Sequence, residues 1–185
     1  MISTLIDLLQ HGNQLKRTPR TGWVQRGVPQ AENVAAHTFG MAYTALILAP
    51  HIDPNMDMGR LLALCLLHDL PEGMTTDVPA PAWKHLPPGV KHDVERGVMR
   101  QMVGEGTQAE ALMALWDEMD ENTTAVAKLV HDADKIDMFL QALMYEQQTG
   151  NRQLAEFWAV RHQFYYPLCQ EIYDALRDER EQLYV

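Results

Sequence analysis

The chain has 185 residues, of which 46% are hydrophobic, and a formal net charge of −10 at pH 7. This length fits one compact domain over residues 1–185, in which Cys65 and Cys169 are too few for a disulfide framework and are expected to be reduced core residues. The acidic charge disfavours binding to nucleic acid polymers, and without a run of about 18 apolar residues or a secretory leader we expect a soluble, cytoplasmic protein that binds no membrane.

Apolar residues at helical spacing predict a first helix over residues 2–16 and a second over 33–49 that ends at Pro50. The segment between them, KRTPRTGWVQRGVPQAE, contains prolines and glycines without a period, which predicts a structured loop. No acidic residue occurs between Asp7 and Glu32, and this gap holds four basic residues: Lys16, Arg17, Arg20 and Arg26. The loop is therefore either a site for a small anion or a solvated basic surface.

A third helix is predicted from a cap at Asp57 to the residue before Pro71, and its segment 61–67 is apolar on every side, which is typical of a helix buried all round. The proline-rich stretch 72–89 is predicted to be a loop. Further helices are expected at 89–103, 108–120, 124–148, 152–160 and 164–182. No strand pattern of useful length occurs, so the predicted fold class is all-α, with about seven or eight helices.

The dipeptide His-Asp occurs three times, at His68-Asp69, His92-Asp93 and His131-Asp132. The pair His92-Asp93 lies among alternating charges in GVKHDVERG, which is the pattern of a solvated helix face. The pair His68-Asp69 instead follows the apolar part of a helix, where both groups would be costly to desolvate without a partner. Because the backbone leaves the helix at this last turn, both side chains can reach one ion. The pair is therefore either part of a metal site or a hydrogen-bonded core pair.

Further ligands would have to come from other helices, and histidine and carboxylate donors suit first-row divalent ions. His37 lies near the start of the second predicted helix, where Val34, Phe39 and Met41 indicate burial. Without other information, His37 is either a ligand or a hydrogen-bonded core residue.

The helix predicted at 124–148 carries three aspartates, Asp132, Asp134 and Asp137. At about 100° per residue, Asp137 falls inside the apolar stripe, Asp134 at its edge, and Asp132 on the far side, where we expect it to be solvated. Periodicity therefore slightly favours Asp137 over Asp134 as the buried acid. It also leaves His131 outside the stripe, so that the pair His131-Asp132 is expected to be structural or exposed.

The order of His37, His68-Asp69 and a late aspartate resembles the H…HD…D signature of the HD-domain metal-dependent phosphohydrolases. More specifically, LKRTPRTGWVQRGVPQAENVAAHTFGMA, LCLLHDLPEGMTTDVPAP and LVHDADKIDMFLQALMYE resemble stretches of the HD-domain 5′-deoxynucleotidases. The similarity covers about residues 5–175 and implies a single all-α HD domain, a homodimer and one divalent metal ion. It implies four ligands, with Asp134 in place of Asp137: His37, His68, Asp69 and Asp134. Manganese, cobalt, iron, zinc and magnesium all suit such a donor set.

Glu72 and Asp77 match the catalytic acids of the same family, in the loop after His68-Asp69. In such a site the metal polarises a phosphate oxygen and supplies or orients the attacking water. We then expect Glu72 to accept the proton of that water. Asp77 is expected either to position the water or to protonate the leaving 5′-oxygen. From the residues alone, either would be an ordinary loop acid.

The resemblance also gives the basic loop a role, because the dianion of a monophosphate needs positive charge in an acidic protein. Arg20 and Arg26 are the candidate phosphate contacts, and Trp23 is a candidate surface for a base or sugar, or else a packing residue. Two positions depart from the family pattern. Gly22 stands where some members have an arginine before the tryptophan, and Ala36 stands where the family often has an acid before the first histidine.

The expected function is that of a 5′-nucleotidase that hydrolyses nucleoside 5′-monophosphates, in particular deoxy forms, to nucleoside and phosphate. One alternative is a phosphohydrolase for another small phosphate, such as a nucleoside di- or triphosphate or a sugar phosphate. Another is a helical protein that binds the metal without catalysis, which an intact Glu72 and Asp77 argue against. The short basic loop has no lysine-rich tract for a polyphosphate tail, which favours a monophosphate.

Overall fold

The computed structural model of the chain describes residues 2–79, 82 and 85–184. Apart from one isolated bridge between Pro19 and Asn33, the regular structure in these residues is helical, which confirms the all-α prediction. Short 3₁₀ turns occur at Leu15–Arg17 and Arg152–Leu154. The α-helices are α1 (Ile2–Gln14), α2 (Thr21–Gln25), α3 (Val34–Ile52), α4 (Met58–Leu67), α5 (Glu72–Thr75), α6 (Val90–Val103), α7 (Thr107–Glu121), α8 (Ala125–Thr149), α9 (Ala155–Trp158) and α10 (Pro167–Gln182).

The 25-residue helix α8 lies at the centre of the molecule and contacts α3, α4, α7 and α10. The packed pair of α3 and α8 is the most extensive of these contacts. One hydrophobic cluster joins these helices, and it runs in sequence from Trp23 to Tyr173. Because α8 is surrounded by other helices, side chains on several of its faces are fixed by packing. It is therefore a rigid support for polar groups.

Local signals in the sequence explain where the main helices begin. The side chains of Asn33, Asp57 and Thr124 each accept a hydrogen bond from a backbone N–H in the first turn of α3, α4 and α8. The predicted cap at Asp57 is confirmed, and α4 ends before Pro71 as expected. Cys65 and Cys169 are buried and unpaired, which agrees with their predicted role as reduced core residues.

Several predictions about the helices were wrong in detail. Helix α3 continues through Pro50 to Ile52, and the predicted loop at 72–89 begins with the single turn of α5. Ala80, Pro81, Trp83 and Lys84 of that stretch lie outside the described residues. Helix α4 is not buried all round, because Leu66 is 61% exposed. Phe39 of α3, which the sequence predicted to be buried, is 73% exposed. None of the described helices is both long and apolar enough to cross a lipid bilayer.

Candidate metal centre and active site

A cleft of about 340 Å³ opens where the end of α4 meets α2, α5, α6 and α8. Besides Asp77, six of the ionisable residues singled out from the sequence line it: Arg20, Arg26, His68, Asp69, Glu72 and Asp134. Asp77 and Trp23 also reach the cleft wall, whereas His37 is fully buried beneath the floor. The fold therefore brings together groups that come from four separate parts of the chain.

His37 lies on α3 between two sets of carboxylates. Its Nδ1 is 2.8 Å from Oδ2 of Asp137, and its Nε2 is 3.2 Å from Oδ1 of Asp134 and 3.5 Å from Oδ2 of Asp69. The Nε2 atom is buried and has no hydrogen-bond partner among the described residues. A buried imidazole nitrogen without a partner is costly unless a ligand occupies the space in front of it.

His68 follows the last residue of α4, where the chain leaves the helix. Its Nδ1 lies 2.6 Å from Oδ1 of Asp69 without the geometry of a hydrogen bond, and this nitrogen is also buried with no hydrogen-bond partner in residues 2–79, 82 and 85–184. Its Nε2 is 4.0 Å from Oδ2 of Asp134. The turn is held by backbone hydrogen bonds from Leu70 to Leu67 and from Glu72 to Asp69. The sequence thus places both members of the His68-Asp69 pair in one non-helical turn.

The charges around these imidazoles strongly perturb the acids and bases. Burial lowers the pKa of His37, but the close carboxylates of Asp134 and Asp137 raise it overall to about 10. Burial alone would raise the pKa of Asp69, yet the neighbouring His68 holds it well below the usual range. Burial likewise opposes ionisation of Asp134, while Lys135 and the two histidines hold its pKa well below the normal value. The site therefore keeps the carboxylates of Asp69 and Asp134 ionised, and these negative charges attract cations.

A second group of possible ligand atoms lies on the other side of His37. Atoms of Glu32, His37 and Asp137 lie within 4.8 Å of one another, which is close enough to hold an ion. Each of these side chains already has a partner, however, because Asp137 faces Nδ1 of His37 and Glu32 accepts a hydrogen bond from Nε1 of Trp23 at 2.9 Å. The unpartnered nitrogen of His37 is on the side of Asp69 and Asp134.

Glu72 and Asp77 reach the cleft from the short segment that begins with α5. Glu72 is buried, and its Oε2 has no hydrogen-bond partner among the residues that the structure describes. Burial and the charges of Asp69 and Asp77 raise the pKa of Glu72 to about 9. Its carboxyl group therefore keeps a proton at neutral pH until positive charge enters the cleft.

The backbone between these two acids is strained. Thr76 has a φ angle of 63°, a left-handed conformation that non-glycine residues rarely adopt. This conformation ends α5 and turns the chain so that Oδ2 of Asp77 accepts a hydrogen bond from the backbone N–H of Thr21 at 2.7 Å. Such strain is retained where the surrounding structure fixes it, and it often marks functional sites.

The three substrate contacts predicted in the basic loop lie in different environments. Arg20 is largely buried, and its guanidinium lies 3.5 Å from Oδ2 of Asp69. Arg26 donates to Glu156 at 2.6 Å and to the carbonyl oxygen of Gly22 at 3.0 Å, and it lies over the ring of Phe157. Arg20 is therefore close to the predicted ligands, whereas Arg26 is already paired at the rim.

Trp23 does not offer the open stacking surface that we considered from the sequence. It is 1% exposed, and its ring packs against Phe157 at a centroid distance of 4.4 Å and against Tyr145 at 5.6 Å. This agrees with the alternative that Trp23 is a packing residue. The apolar wall of the cleft is formed in part by Phe157 and Met138, which the sequence analysis did not identify.

Two lysines at the cleft were also missed. Lys91 lines the cleft from the first turn of α6, and its Nζ lies 3.6 Å from Glu95. Lys135 lines it from α8, with its Nζ 2.7 Å from Oδ2 of Asp134. Lys91 was hidden in the segment predicted to be a solvated face. Lys135 could have been found, because it directly follows a predicted ligand in the sequence.

The other two His-Asp pairs lie outside the cleft. His92 pairs with Asp120 on an exposed surface, as predicted for a solvated helix face. His131 contacts the backbone oxygen of Met119 at 3.0 Å. Asp132 was predicted to be solvated, and this was wrong: it is 1% exposed. Its two oxygens accept the backbone N–H groups of Tyr165 and Tyr166, so that its role is structural.

Comparison with known proteins assigns the fold to a family. Residues 12–173 match the model of a family described as an HD domain. The chain therefore belongs to the HD domain family. In the solved structures, the PH0347 protein from Pyrococcus horikoshii OT3 superposes with a TM-score of 0.77 and 30% sequence identity, covering 99% of both chains.

Curated relatives match over almost the whole chain. The 5′-deoxynucleotidase HDDC2 of Bos taurus is 35% identical over 181 residues, which are 95% of this chain and 85% of that protein. The 5′-deoxynucleotidase HDDC2 of Homo sapiens is 34% identical over 182 residues, which are 96% of this chain and 86% of that protein.

Proposed function

We propose that this protein is a metal-dependent 5′-nucleotidase that hydrolyses nucleoside 5′-monophosphates, in particular deoxy forms, to nucleoside and phosphate. One observation carries the proposal: two buried imidazole nitrogens have no hydrogen-bond partner in the described part of the chain, and Nε2 of His37 lies close to Asp69 and Asp134 while Nδ1 of His68 lies close to Asp69. The curated relatives named 5′-deoxynucleotidases support the nucleotide substrate. In this proposal the whole chain forms a single HD domain.

The proposed ligands of one divalent ion are His37, His68, Asp69 and Asp134. Two neutral imidazoles and two carboxylates balance the charge of such an ion, and manganese, cobalt, iron, zinc and magnesium all accept these donors. The unpartnered Nε2 of His37 fits this role because it faces the carboxylates of Asp69 and Asp134, and the unpartnered Nδ1 of His68 adjoins Asp69. When bound, the ion supplies a Lewis acid for a phosphate oxygen and lowers the pKa of water.

Two acids carry the proton transfers in this proposal. Glu72 takes the proton of the attacking water, since positive charge in the cleft favours the ionised form of its otherwise protonated carboxyl group. Asp77, held through Oδ2 by the N–H of Thr21, keeps its other oxygen available to position the water or to donate a proton to the leaving 5′-oxygen.

Positive side chains around the cleft meet the phosphate. We assign this role to Arg20, Lys91 and Lys135, because all three line the cleft near the acids. Arg26 shapes the rim through its pair with Glu156, and Phe157 and Met138 give the nucleoside an apolar wall. A cleft of about 340 Å³ is at the small end for ligand sites, which favours a monophosphate.

The experiment is a measurement of phosphate release from a panel of nucleoside mono-, di- and triphosphates and sugar phosphates. Each is incubated with metal-free protein to which one divalent metal is added. We expect release from deoxynucleoside monophosphates, dependent on metal, and its loss in Glu72→Gln. Preferred release from a triphosphate or a sugar phosphate would contradict the substrate assignment. Metal binding with no release from any ester would support a non-catalytic binding protein instead.

We also propose that the protein forms a homodimer through α3. This helix carries no Asp, Glu, Lys or Arg, and its exposed side presents one apolar stripe. The stripe consists of Phe39, Tyr43, Leu46 and Ile47, and the neighbouring α8 exposes Leu140 and Met144. A second copy of the same surface would cover it, because a two-fold axis pairs a patch with itself.

Light scattering tests the dimer. Phe39→Glu places a charge in the stripe and is expected to give a monomer, whereas the wild type has twice that mass. Val94→Glu is the control, since Val94 is 41% exposed on α6, a helix that packs against α1, α5 and α7. A monomeric wild-type protein, or a dimer that survives Phe39→Glu, would contradict this interface.

A further inference from the structure

Gly40 lies within α3, where a glycine destabilises a helix relative to alanine. The space beside it explains why the glycine is needed. A Cβ atom at this position would lie 2.1 Å from Oδ1 of Asp137, 2.9 Å from its Cγ and 3.1 Å from its Oδ2. The carboxylate of Asp137 therefore occupies the volume that any other side chain at position 40 would fill.

The same carboxylate contacts His37. Oδ2 of Asp137 is 2.8 Å from Nδ1 of His37, and the side chain of Asp137 is only 13% exposed. His37 and Gly40 are three residues apart and share one face of α3, so Asp137 on α8 reaches both. With Nδ1 held by Asp137, the ring points its Nε2 atom towards Asp69 and Asp134.

We propose that Gly40 and Asp137 form a positioning pair that holds His37 in the orientation of a metal ligand. Asp137 fixes the tautomer and rotation of the imidazole, and Gly40 provides the opening in which its carboxylate sits. Neither residue binds the ion. This inference rests on the proposed role of His37 as a ligand. It also gives a function to the acid that the apolar stripe of α8 favoured as buried.

Other ligand histidines show how large the effect is expected to be. A histidine that binds a metal generally donates its second N–H group to a carboxylate or carbonyl oxygen, and loss of that partner weakens metal affinity by roughly 10- to 100-fold. Asp137→Ala removes the partner, and Gly40→Ala displaces it. Both changes are therefore expected to weaken metal binding by a factor in this range.

The test is a double-mutant cycle in metal affinity, measured by titration calorimetry of metal-free protein with manganese. The variants are Gly40→Ala, Asp137→Ala and the double variant. We expect each single change to raise the Kd and the double variant to bind no more weakly than Asp137→Ala, because no carboxylate remains to be displaced. Additive losses would overturn the proposed pair, as would an unchanged Kd in Asp137→Ala.

Matched controls separate positioning from general damage. Gly97→Ala in α6 introduces a Cβ that meets nothing within 4 Å, and it is expected to leave the Kd unchanged. Asp132→Asn removes a buried carboxylate that accepts backbone N–H groups of another segment, and it is expected to lower stability at an unchanged Kd. Equal weakening in Asp132→Asn would mean that any buried change in α8 disturbs the metal, and would overturn the inference.

The remaining outcomes also distinguish the possibilities. If Gly40→Ala does not fold, Asp137→Asn takes its place, and it is expected to weaken binding less than Asp137→Ala because the amide oxygen can still accept from Nδ1. Loss of one of two bound ions in Asp137→Ala would show that Asp137 is itself a ligand. A wild type that binds manganese but hydrolyses no ester leaves this inference standing while the proposed function fails; no metal uptake overturns both.

Discussion

Thr21 donates its backbone N–H to Oδ2 of Asp77 at 2.7 Å, and this bond joins the basic loop before α3 to the segment that follows the His68-Asp69 pair. The two segments are 56 residues apart in sequence. Because Arg20 adjoins Thr21, the bond sets the position of a cationic group relative to an acid. This bond, together with the contact between Arg20 and Asp69, holds the proposed substrate-binding and catalytic groups in position relative to each other.

Asp77 is expected to serve both the reaction and this contact. Asp77→Asn can still accept from Thr21 through its amide oxygen but cannot transfer a proton, so we expect kcat to fall by roughly 10²- to 10⁴-fold with an unchanged metal Kd. Asp77→Ala removes the contact as well, and we expect faster amide hydrogen exchange at Thr21. Equal exchange in the two variants, measured by NMR, would argue against the link between the segments.

Glu72→Gln is expected to lower kcat by roughly 10²- to 10⁴-fold, because the amide cannot accept the proton of the attacking water. The variant should still bind metal with the wild-type Kd, since Glu72 is not among the proposed ligands. Glu110→Gln on the exposed surface of α7 is the control and should keep full activity. Full turnover by metal-loaded Glu72→Gln would show that the catalytic base lies elsewhere.

Removal of the metal is expected to lower thermal stability. An ion present at about 100 times its Kd stabilises the folded state by roughly 2.7 kcal/mol, which for a chain of this size corresponds to a Tm change of roughly 5–11 °C. Differential scanning fluorimetry with and without chelator measures the shift. Asp134→Asn should abolish metal uptake and with it the shift. Asp137→Asn should only reduce metal affinity, and the reverse ranking would exchange the roles of the two acids.

Asp132→Asn is expected to reduce stability without affecting the metal. Its carboxylate accepts two backbone N–H groups, so we expect a loss of roughly 1–3 kcal/mol in the free energy of unfolding. Urea denaturation in the presence of chelator measures this loss independently of the metal. The metal-dependent Tm shift should persist in this variant, and its disappearance would contradict a purely structural role.

Lys91 is expected to contact the phosphate rather than the nucleoside. Lys91→Ala should therefore raise both the KM for nucleotides and the inhibition constant of inorganic phosphate by roughly 10- to 100-fold, with inhibition by the nucleoside product unchanged. Lys16→Ala on the exposed basic loop is the control. Arg26→Ala should have a smaller effect on phosphate than Arg20→Ala, because Arg26 is paired with Glu156. A selective effect of Lys91→Ala on the nucleoside would contradict this placement.

The helices and the His68-Asp69 turn were predictable because their signals are local. Apolar residues recur at helical spacing, Asp57 caps α4 within one turn, and Pro71 ends the helix next to the site. Periodicity was wrong in favouring Asp137 over Asp134 as the buried acid, because Asp134 is buried and the side chain of Asp137 remains 13% exposed. It also could not distinguish a proposed ligand from the proposed partner of a ligand. That distinction depends on which imidazole nitrogen each carboxylate faces, and this is a property of two packed helices.

Contacts between distant segments were not predictable from the sequence. Asp132 is buried because Tyr165 and Tyr166, 33 and 34 residues later, donate their backbone N–H groups to it. Arg26 pairs with Glu156, 130 residues away, at the rim of the cleft. Periodicity also counts an apolar residue as core, so it could not anticipate that Phe39 lies on an open surface.

Helix α8 carries three aspartates within six residues, and each faces a different environment. At about 100° per residue, Asp134 and Asp137 lie roughly 60° apart and Asp132 lies on the opposite side, towards Tyr165. Insertion of a single residue between Asp132 and Asp134 would rotate one set against the other by about 100°. We therefore expect α8 to tolerate substitutions on its surface far better than any insertion or deletion in this segment. The number of residues between the aspartates sets the face of the helix on which each one lies, and so which partner each one contacts.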